Sequence, residues 1–373
     1  MKNRRVQMVA AVALLLAAVV FLLSCNGKSD APPAKGPVRV AAILNLTGPA
    51  ARFDAVKQQA LNLALERVKA LRPDLPIELR ILDSGGGPEA TTVAVRQATD
   101  WGASYFLSGT SPTALAIASQ MRGRTPGVVQ IANAANPDFG PPRPGEYRFW
   151  PDWRQEAEVV IGVLREQNFN KVFLIHSADP YSEALTKELR AQGGGINGLA
   201  ISDQQYDPAS TPDFRPALLR AKQDGVQALI IFGLPPGIQA LMSQMAEVGW
   251  DRALIGGVNI NLSVGEYDKA QLKSPLWVVE TESMREQVAA GSELQQFREA
   301  YRQRYNENPP FHALYLADAI YFAAAAAHAG AADPNKAEVD MAKGVRSFDG
   351  ASGRIEVGED GILRFVMSAR KVR

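Results

Sequence analysis

From Val38 onward, short runs of β-branched and aliphatic residues alternate with longer stretches in which apolar residues recur every three or four positions. The first pattern suits strands buried on both faces, and the second suits amphipathic helices. Strands are predicted at 38–44, 77–82 and 105–107, with helices at 55–70, 89–101 and 113–121. The theme repeats, with strands at 172–175, 199–202 and 228–232 and helices at 156–166, 183–192 and 214–223. Such alternation builds parallel sheets covered by helices. The expected fold is α/β, two doubly wound parallel-sheet lobes, with function sought in loops that follow strands, where the crevice of such sheets lies. The alanine-rich stretch 312–332 reads as a closely packed lobe helix rather than a membrane span, because Asp318, His328 and the preceding Pro309-Pro310 interrupt it.

The first 25 residues break this pattern. Lys2, Arg4 and Arg5 precede an apolar run from Val9 to Leu23, which ends in Leu22-Leu23-Ser24-Cys25. This is the layout of an export signal. The run is short of the ~20 residues a membrane-spanning helix needs, so an uncleaved anchor is the weaker alternative. Ser24-Cys25 resembles the lipobox of bacterial lipoproteins, with Leu23 where a smaller residue is usual. The resemblance implies that Cys25 is acylated and becomes the new N-terminus, placing the protein outside the cytoplasm on a membrane, facing the periplasm or cell exterior. Residues 26–37 are polar and rich in Pro and Gly and read as a flexible tether.

Composition narrows the chemistry. The chain has 373 residues, 46% hydrophobic and 21% charged, enough for a large core and about two domains. Its 40 basic residues balance 39 acidic ones, and loss of residues 1–25 removes Lys2, Arg4 and Arg5 and leaves 37 against 39. No basic stripe suits nucleic acid. Cys25 is the one cysteine, so neither a disulfide framework nor a thiolate metal site is open to the chain. The three histidines, His176, His312 and His328, fall in separate elements without metal-ligand spacing, and Gly-x-Ser-x-Gly is absent. Gly85-Gly86-Gly87 and Gly193-Gly194-Gly195 lack the following Lys-Ser/Thr of a phosphate loop and read as turns. Asp83 reads as a turn-former at a strand end. The expectation is a binder without catalytic residues, metal or cofactor.

Four segments carry a family resemblance. They are Ile43-Leu44-Asn45-Leu46-Thr47-Gly48-Pro49, Gly109-Thr110-Ser111-Pro112-Thr113-Ala114-Leu115-Ala116, Ala134-Ala135-Asn136-Pro137, and Phe348-Asp349-Gly350-Ala351-Ser352-Gly353-Arg354-Ile355 followed by Gly361. In order and spacing they resemble the solute-binding proteins of branched-chain amino-acid ABC transporters, the periplasmic leucine/isoleucine/valine-binding type. The resemblance implies a type I periplasmic binding protein fold with three crossovers, near residues 152, 281 and 350. The lobes are then 38–152 with 282–350 and 153–281 with 351–373. It also implies a small-molecule ligand and an ABC-transporter permease as partners of a monomer. A sensor reporting to a membrane receptor is the alternative from another class.

The candidate ligand contacts come from both lobes. Thr113 stands where a helix is predicted to begin, so its hydroxyl and the N–H groups of Ala114 and Leu115 are placed to bind a carboxylate; capping its own helix is the plainer role. The resemblance puts Phe53 where the family often has an aromatic lid, and Tyr181 on the family's cleft-facing tyrosine, with Ser182 replacing the usual glycine. Asn133 and Asn259 are amides able to donate and accept, and equally suited to turns. Two departures bear on the ligand: the family's threonine aligns with Ala135, and its acidic residue with Val258 or Asn259. An ammonium buried without carboxylate or carbonyl partners is costly. Around the second lobe's entrance stand instead the apolar or aromatic Phe149, Trp150, Trp153, Leu234, Pro235 and Pro236, and for the two tryptophans hinge packing is the competing reading. The expected ligand is less zwitterionic than a branched-chain amino acid: an aromatic or aliphatic acid, an amide or another largely apolar metabolite. An orthodox branched-chain amino acid is the other option.

Overall fold

The computed structural model describes residues 36–48, 51–123, 127–210, 212–263, 265, 270, 272–330 and 336–372. The leader, Cys25 and most of the tether lie outside them. The first sheet is parallel, in the order β2-β1-β3-β4-β5, from β1 (Val38–Leu44), β2 (Ile77–Asp83), β3 (Tyr105–Ser108), β4 (Val129–Ala132) and β5 (Glu146–Arg148). Alternation along β1 sorts its side chains between two cores. Val38, Val40, Ala42 and Leu44 face helices α1 (Ala51–Leu71) and α9 (Phe311–Ala329), while Ala41 and Ile43 face α2 (Pro88–Asp100) and α3 (Ser111–Met121).

The second sheet has the order β14-β10-β9-β8-β6-β7. It comprises β6 (Lys171–Ser177), β7 (Ala200–Tyr206), β8 (Ala228–Phe232), β9 (Ala253–Gly256), β10 (Leu276–Thr281) and, antiparallel at one edge, β14 (Met367–Lys371). Val172 and Leu174 pack toward α4 (Trp153–Glu166) and α5 (Pro180–Gly193), and Phe173 and Ile175 toward α6 (Arg215–Gln223) and α7 (Gly237–Glu247). One core cluster joins residues of both sheets, so the lobes share an apolar interior at the crossovers.

The remaining helices, α8 (Glu293–Tyr305) and α10 (Glu338–Ala342), accompany α9. That helix is buried along nearly its whole length and lies against α1, its alanines allowing close approach. Among the described residues no helix is long and apolar enough to cross a membrane.

A three-stranded hairpin sheet, β11 (Ser347–Gly350), β12 (Gly353–Val357) and β13 (Leu363–Phe365), follows. It explains the glycine spacing read from the sequence. A Cβ at Gly350 would run into the buried Asp318 carboxylate, and Gly353 combines φ +110° with a close approach to Glu282. The hairpin also moves the last crossing. β12 pairs with β11 and β13 with β12, so the chain enters the second sheet at Met367 rather than near residue 350.

Several helices begin one to four residues earlier than their apolar pattern. Pro88, Pro112 and Pro180 sit in first turns, where a missing N–H costs nothing. Asp152 caps α4 by accepting from the Arg154 N–H, and Asp179 caps α5 by accepting from Tyr181 and Ser182.

Candidate functional site

The loops after β1 and β3 are joined by a buried polar network. The Asn45 N–H donates to Asp54 Oδ2 at 2.8 Å, and Ser84 Oγ donates to Asn45 Oδ1 at 2.9 Å. Asn45 Nδ2 lies 3.3 Å from Thr110 Oγ1, which stands 3.0 Å from Thr113 Oγ1. Below them Lys57 Nζ pairs with Asp54 at 3.1 Å and donates to the Gly109 carbonyl. A Cβ at Gly109 would collide with the Asp54 carboxylate, so this loop needs glycine. Burial pulls the Lys57 ammonium below the usual lysine range despite Asp54 beside it. Neither Asp54 nor Lys57 was singled out from the sequence; the visible signal was a charged i, i+3 pair on the core face of α1.

Above this network lies a 330 Å³ cavity lined by Asn45, Gly86, Gly87, Thr91, Thr110 and Thr113, among others. Thr113 therefore borders open space, but as the third residue of α3 rather than its first. The reading of Ala114 changes accordingly. Its N–H donates to the Thr110 carbonyl at 2.9 Å and its side chain is buried beside Ala118, Ala132 and Phe139, so it offers a ligand nothing. Asp83 has the turn-forming role expected of it, accepting from the Leu46 and Gly85 N–H groups at 2.9 Å and from Thr47 Oγ1 at 2.5 Å.

Next to the polar network runs a line of rings. Phe53, 56% exposed, meets His312 edge-on at 5.7 Å. Phe311, the neighbour of His312, lies 6.1 Å from Trp150, whose ring stands 5.8 Å from Tyr315. Two nitrogens in this line, His312 Nδ1 and Trp150 Nε1, are buried without a hydrogen-bond partner among the described residues. Burial, helped by the nearby Lys57 charge, pushes His312 down to about 3, so its imidazole is neutral at physiological pH. His312 entered the sequence reading only as a non-metal histidine.

At the first crossover, Arg148 pairs with Asp152 at 2.9 Å and lies over the Trp153 ring at 4.2 Å. Trp153 is thus engaged in packing there. Asn133 Nδ2 donates to the Phe149 carbonyl at 2.9 Å, tying the loop after β4 to the crossover, and Ala135 is half-buried against the core.

The second lobe departs furthest from expectation. Tyr181 is buried, and its hydroxyl lies 2.5 Å from Glu156 Oε2 and 3.1 Å from the Pro151 carbonyl, so it is engaged inside the lobe. Val258 is fully buried, with its N–H donating to Glu156 Oε1 at 2.8 Å. Asn259 is buried with Oδ1 unpartnered, and Leu234 is 39% exposed. Glu156 is the residue sequence reasoning missed. An acid on the apolar stripe of α4, one turn before Val160, was its signal. Among the described residues no group of three His, Cys, Asp or Glu is placed to hold a metal ion.

Two doubly wound lobes, three crossings and strand-end loops that bring polar and aromatic groups together define a two-lobed binding-protein fold. The family model described as periplasmic binding protein matches residues 37–369, and the chain belongs to that family. It is 25% identical over 229 residues to the Leu/Ile/Val-binding protein homolog 1 of Brucella abortus, a match covering 58% of this chain and 59% of that protein. The branched-chain amino-acid transporter substrate-binding protein LivJ of Streptococcus pneumoniae, solved with isoleucine, shares the fold at TM-score 0.70 and 19% identity, covering 90% of this chain and 100% of that one. An ABC-transporter solute-binding protein of Rhodopseudomonas palustris BisB5, solved with 3,4-dihydroxybenzoic acid, shares it at TM-score 0.69 and 19% identity over 90% of this chain and 93% of that one.

Proposed function

We propose that this chain is the exported solute-binding component of an ABC-type importer and that it holds an aromatic or aliphatic carboxylate, or an amide, rather than a zwitterionic amino acid. The ring line from Phe53 through His312 and Phe311 to Trp150, with two unpartnered buried nitrogens, carries this reading. It provides an apolar wall with the indole N–H of Trp150 for an oxygen acceptor and the imidazole nitrogen of His312, which donates in its Nδ1–H tautomer, the usual make-up of a small-molecule pocket. The described loop residues after β8 and β9, at 233–236 and 257–263, carry no acid. Asp179, after β6, is taken up by the N–H groups of Tyr181 and Ser182. An ammonium therefore finds no free carboxylate in these loops, and its desolvation would go uncompensated. The dihydroxybenzoate carried by a protein of the same fold agrees with this chemistry, while the isoleucine of another supplies the competing outcome.

A thermal-shift and calorimetric panel of benzoate, 3,4-dihydroxybenzoate, a branched aliphatic acid, its amide and isoleucine tests the proposal. Binding of an amine-free acid or amide is expected. Tight isoleucine binding with no response to any amine-free member overturns it. Lipid attachment at Cys25 is part of the same proposal: metabolic labelling with a fatty acid should mark the wild-type chain and leave Cys25→Ser unlabelled, and equal labelling of both would refute it.

A further inference from the structure

Tyr181 Oη faces two oxygens, Glu156 Oε2 at 2.5 Å and the Pro151 carbonyl at 3.1 Å. A phenol has one hydroxyl proton and so donates to one of them at a time. With Glu156 ionised, that proton goes to the carboxylate and the Pro151 carbonyl loses its donor. With Glu156 protonated, every group is matched. The carboxylic acid donates to Tyr181 Oη, Tyr181 donates to Pro151, and the Val258 N–H donates to the other carboxyl oxygen at 2.8 Å. The loop after β9 approaches as closely as glycine permits, since a Cβ at Gly257 would meet Glu156 Oε1.

We propose that Glu156 is the positioning residue of the second lobe and works as a neutral carboxylic acid, donating a hydrogen bond to Tyr181, which donates in turn to the Pro151 carbonyl of the first crossover, and so holding the loop after β9 against Pro151. Three parts of the chain meet on this one side chain: the crossover, the start of α5 and the Val258 loop. The surroundings favour the neutral form. Burial pushes Glu156 up to about 7 against the hydrogen bonds from Tyr181 and Val258, and the nearby Asp152 charge adds to the rise. The other titratable or charged groups around it are Tyr181 from α5, Tyr315 from α9, and Arg148 and Arg154, both paired with Asp152. The acid on β10, Glu280, is taken up by Arg285 and Arg370. Among its described residues, the loop after β9 brings Gly257 and Val258 to the contact.

The link to ligand capture rests on the proposed function, but the test needs no ligand, so the two fail separately. Amide hydrogen exchange of the full chain in detergent, corrected for intrinsic rates, is followed from about pH 6 to about pH 8.5. Protection at 150–152 and 256–260 should fall about tenfold as the acid ionises. In Glu156→Gln the amide still donates to Tyr181 and accepts from Val258, so protection should persist at both pH values. No loss in the wild type, or an equal loss in Glu156→Gln, overturns the proposal. Should Glu156→Gln not fold, Tyr181→Phe breaks the relay, and wild-type pH dependence surviving in it overturns the proposal as well. Infrared difference spectroscopy of the wild type against Glu156→Gln supplies a second reading: a protonated-carboxyl band near pH 6 that the variant lacks is expected, and identical carboxyl bands in the two chains at pH 6 are incompatible with the relay.

Discussion

The two lobes solve the same problem, a loop cluster at the ends of parallel strands, with opposite electrostatics. The first buries a charged pair, Asp54 with Lys57, and spends its bonds on the loops after β1 and β3. The second buries an acid with no cation against it and satisfies it through a phenol and a backbone N–H. An ion pair is costly to bury and costlier to break, whereas a neutral acid is cheaper to bury but sensitive to pH. The first lobe thus holds its site by charge, and the second by a proton.

The sharpest way to break this contrast is to remove one carboxyl from each lobe. Asp54→Ala strands the Lys57 ammonium in the interior and should lower unfolding free energy by about 3–5 kcal/mol. Adding Lys57→Met should restore part of the loss. Glu156→Ala removes hydrogen bonds without stranding a charge and should lose less, about 1–3 kcal/mol. Urea unfolding of the three variants checks the order. Equal losses from the two single variants would mean that the lobes do not differ as described.

Titration separates the lobes next. Burial raises Asp318, in α9, to about 8 although Ser352 donates to it, and raises Glu156 to about 7. Each acid keeps its proton in the folded chain at pH values where the unfolded chain has lost it. The native state therefore binds more protons, and stability falls as pH rises toward the folded pKa. His312 acts the other way, since it is held neutral down to about 3. Its contribution grows as pH rises from about 3 and is complete by about 6.5. Between pH 6.5 and 8 only the acids act, and unfolding free energy should drop by on the order of 1–2 kcal/mol. Asp318→Asn should flatten most of that slope and Glu156→Gln a smaller part. A flat wild-type profile would contradict both assignments.

How much of this was readable in advance differs by range of interaction. The β-branched runs located β1 and β8 to the residue, because a strand buried on both faces needs only a local apolar run. The glycines of the 348–355 motif were visible, yet their reason was not: Gly350 answers to Asp318 on another helix. Ala114 was misread because Pro112 is accommodated inside the first turn of α3, moving the helix start back to Ser111. Tyr181 was read as a cleft-facing ligand contact, whereas its hydroxyl is engaged by a partner 25 positions earlier, and that partner's other contact, Val258, lies 102 positions later. No periodicity reports a pairing at that separation, so the chemistry of the second lobe stayed hidden while its strands did not.

The smallest expected effect addresses the ring line that lies between these two regimes. Trp150→Phe keeps an aromatic surface toward Phe311 and Tyr315 but deletes part of the ring and the indole N–H, which has no partner among the described residues. Folding should weaken only modestly, by on the order of 1 kcal/mol, because some packing is lost but no internal hydrogen bond is. If that N–H is kept free for a ligand oxygen, affinity for a bound carboxylate should fall by one hydrogen bond, about 0.5–1.5 kcal/mol or roughly two- to tenfold. Leu234→Ala, on the opposite lobe, should weaken binding through lost apolar contact alone and without preference for acid over amide. Calorimetry on the acid and its amide distinguishes the two. If Trp150→Phe leaves both affinities unchanged while Leu234→Ala lowers them, the ring line packs the hinge and the ligand lies against the second lobe.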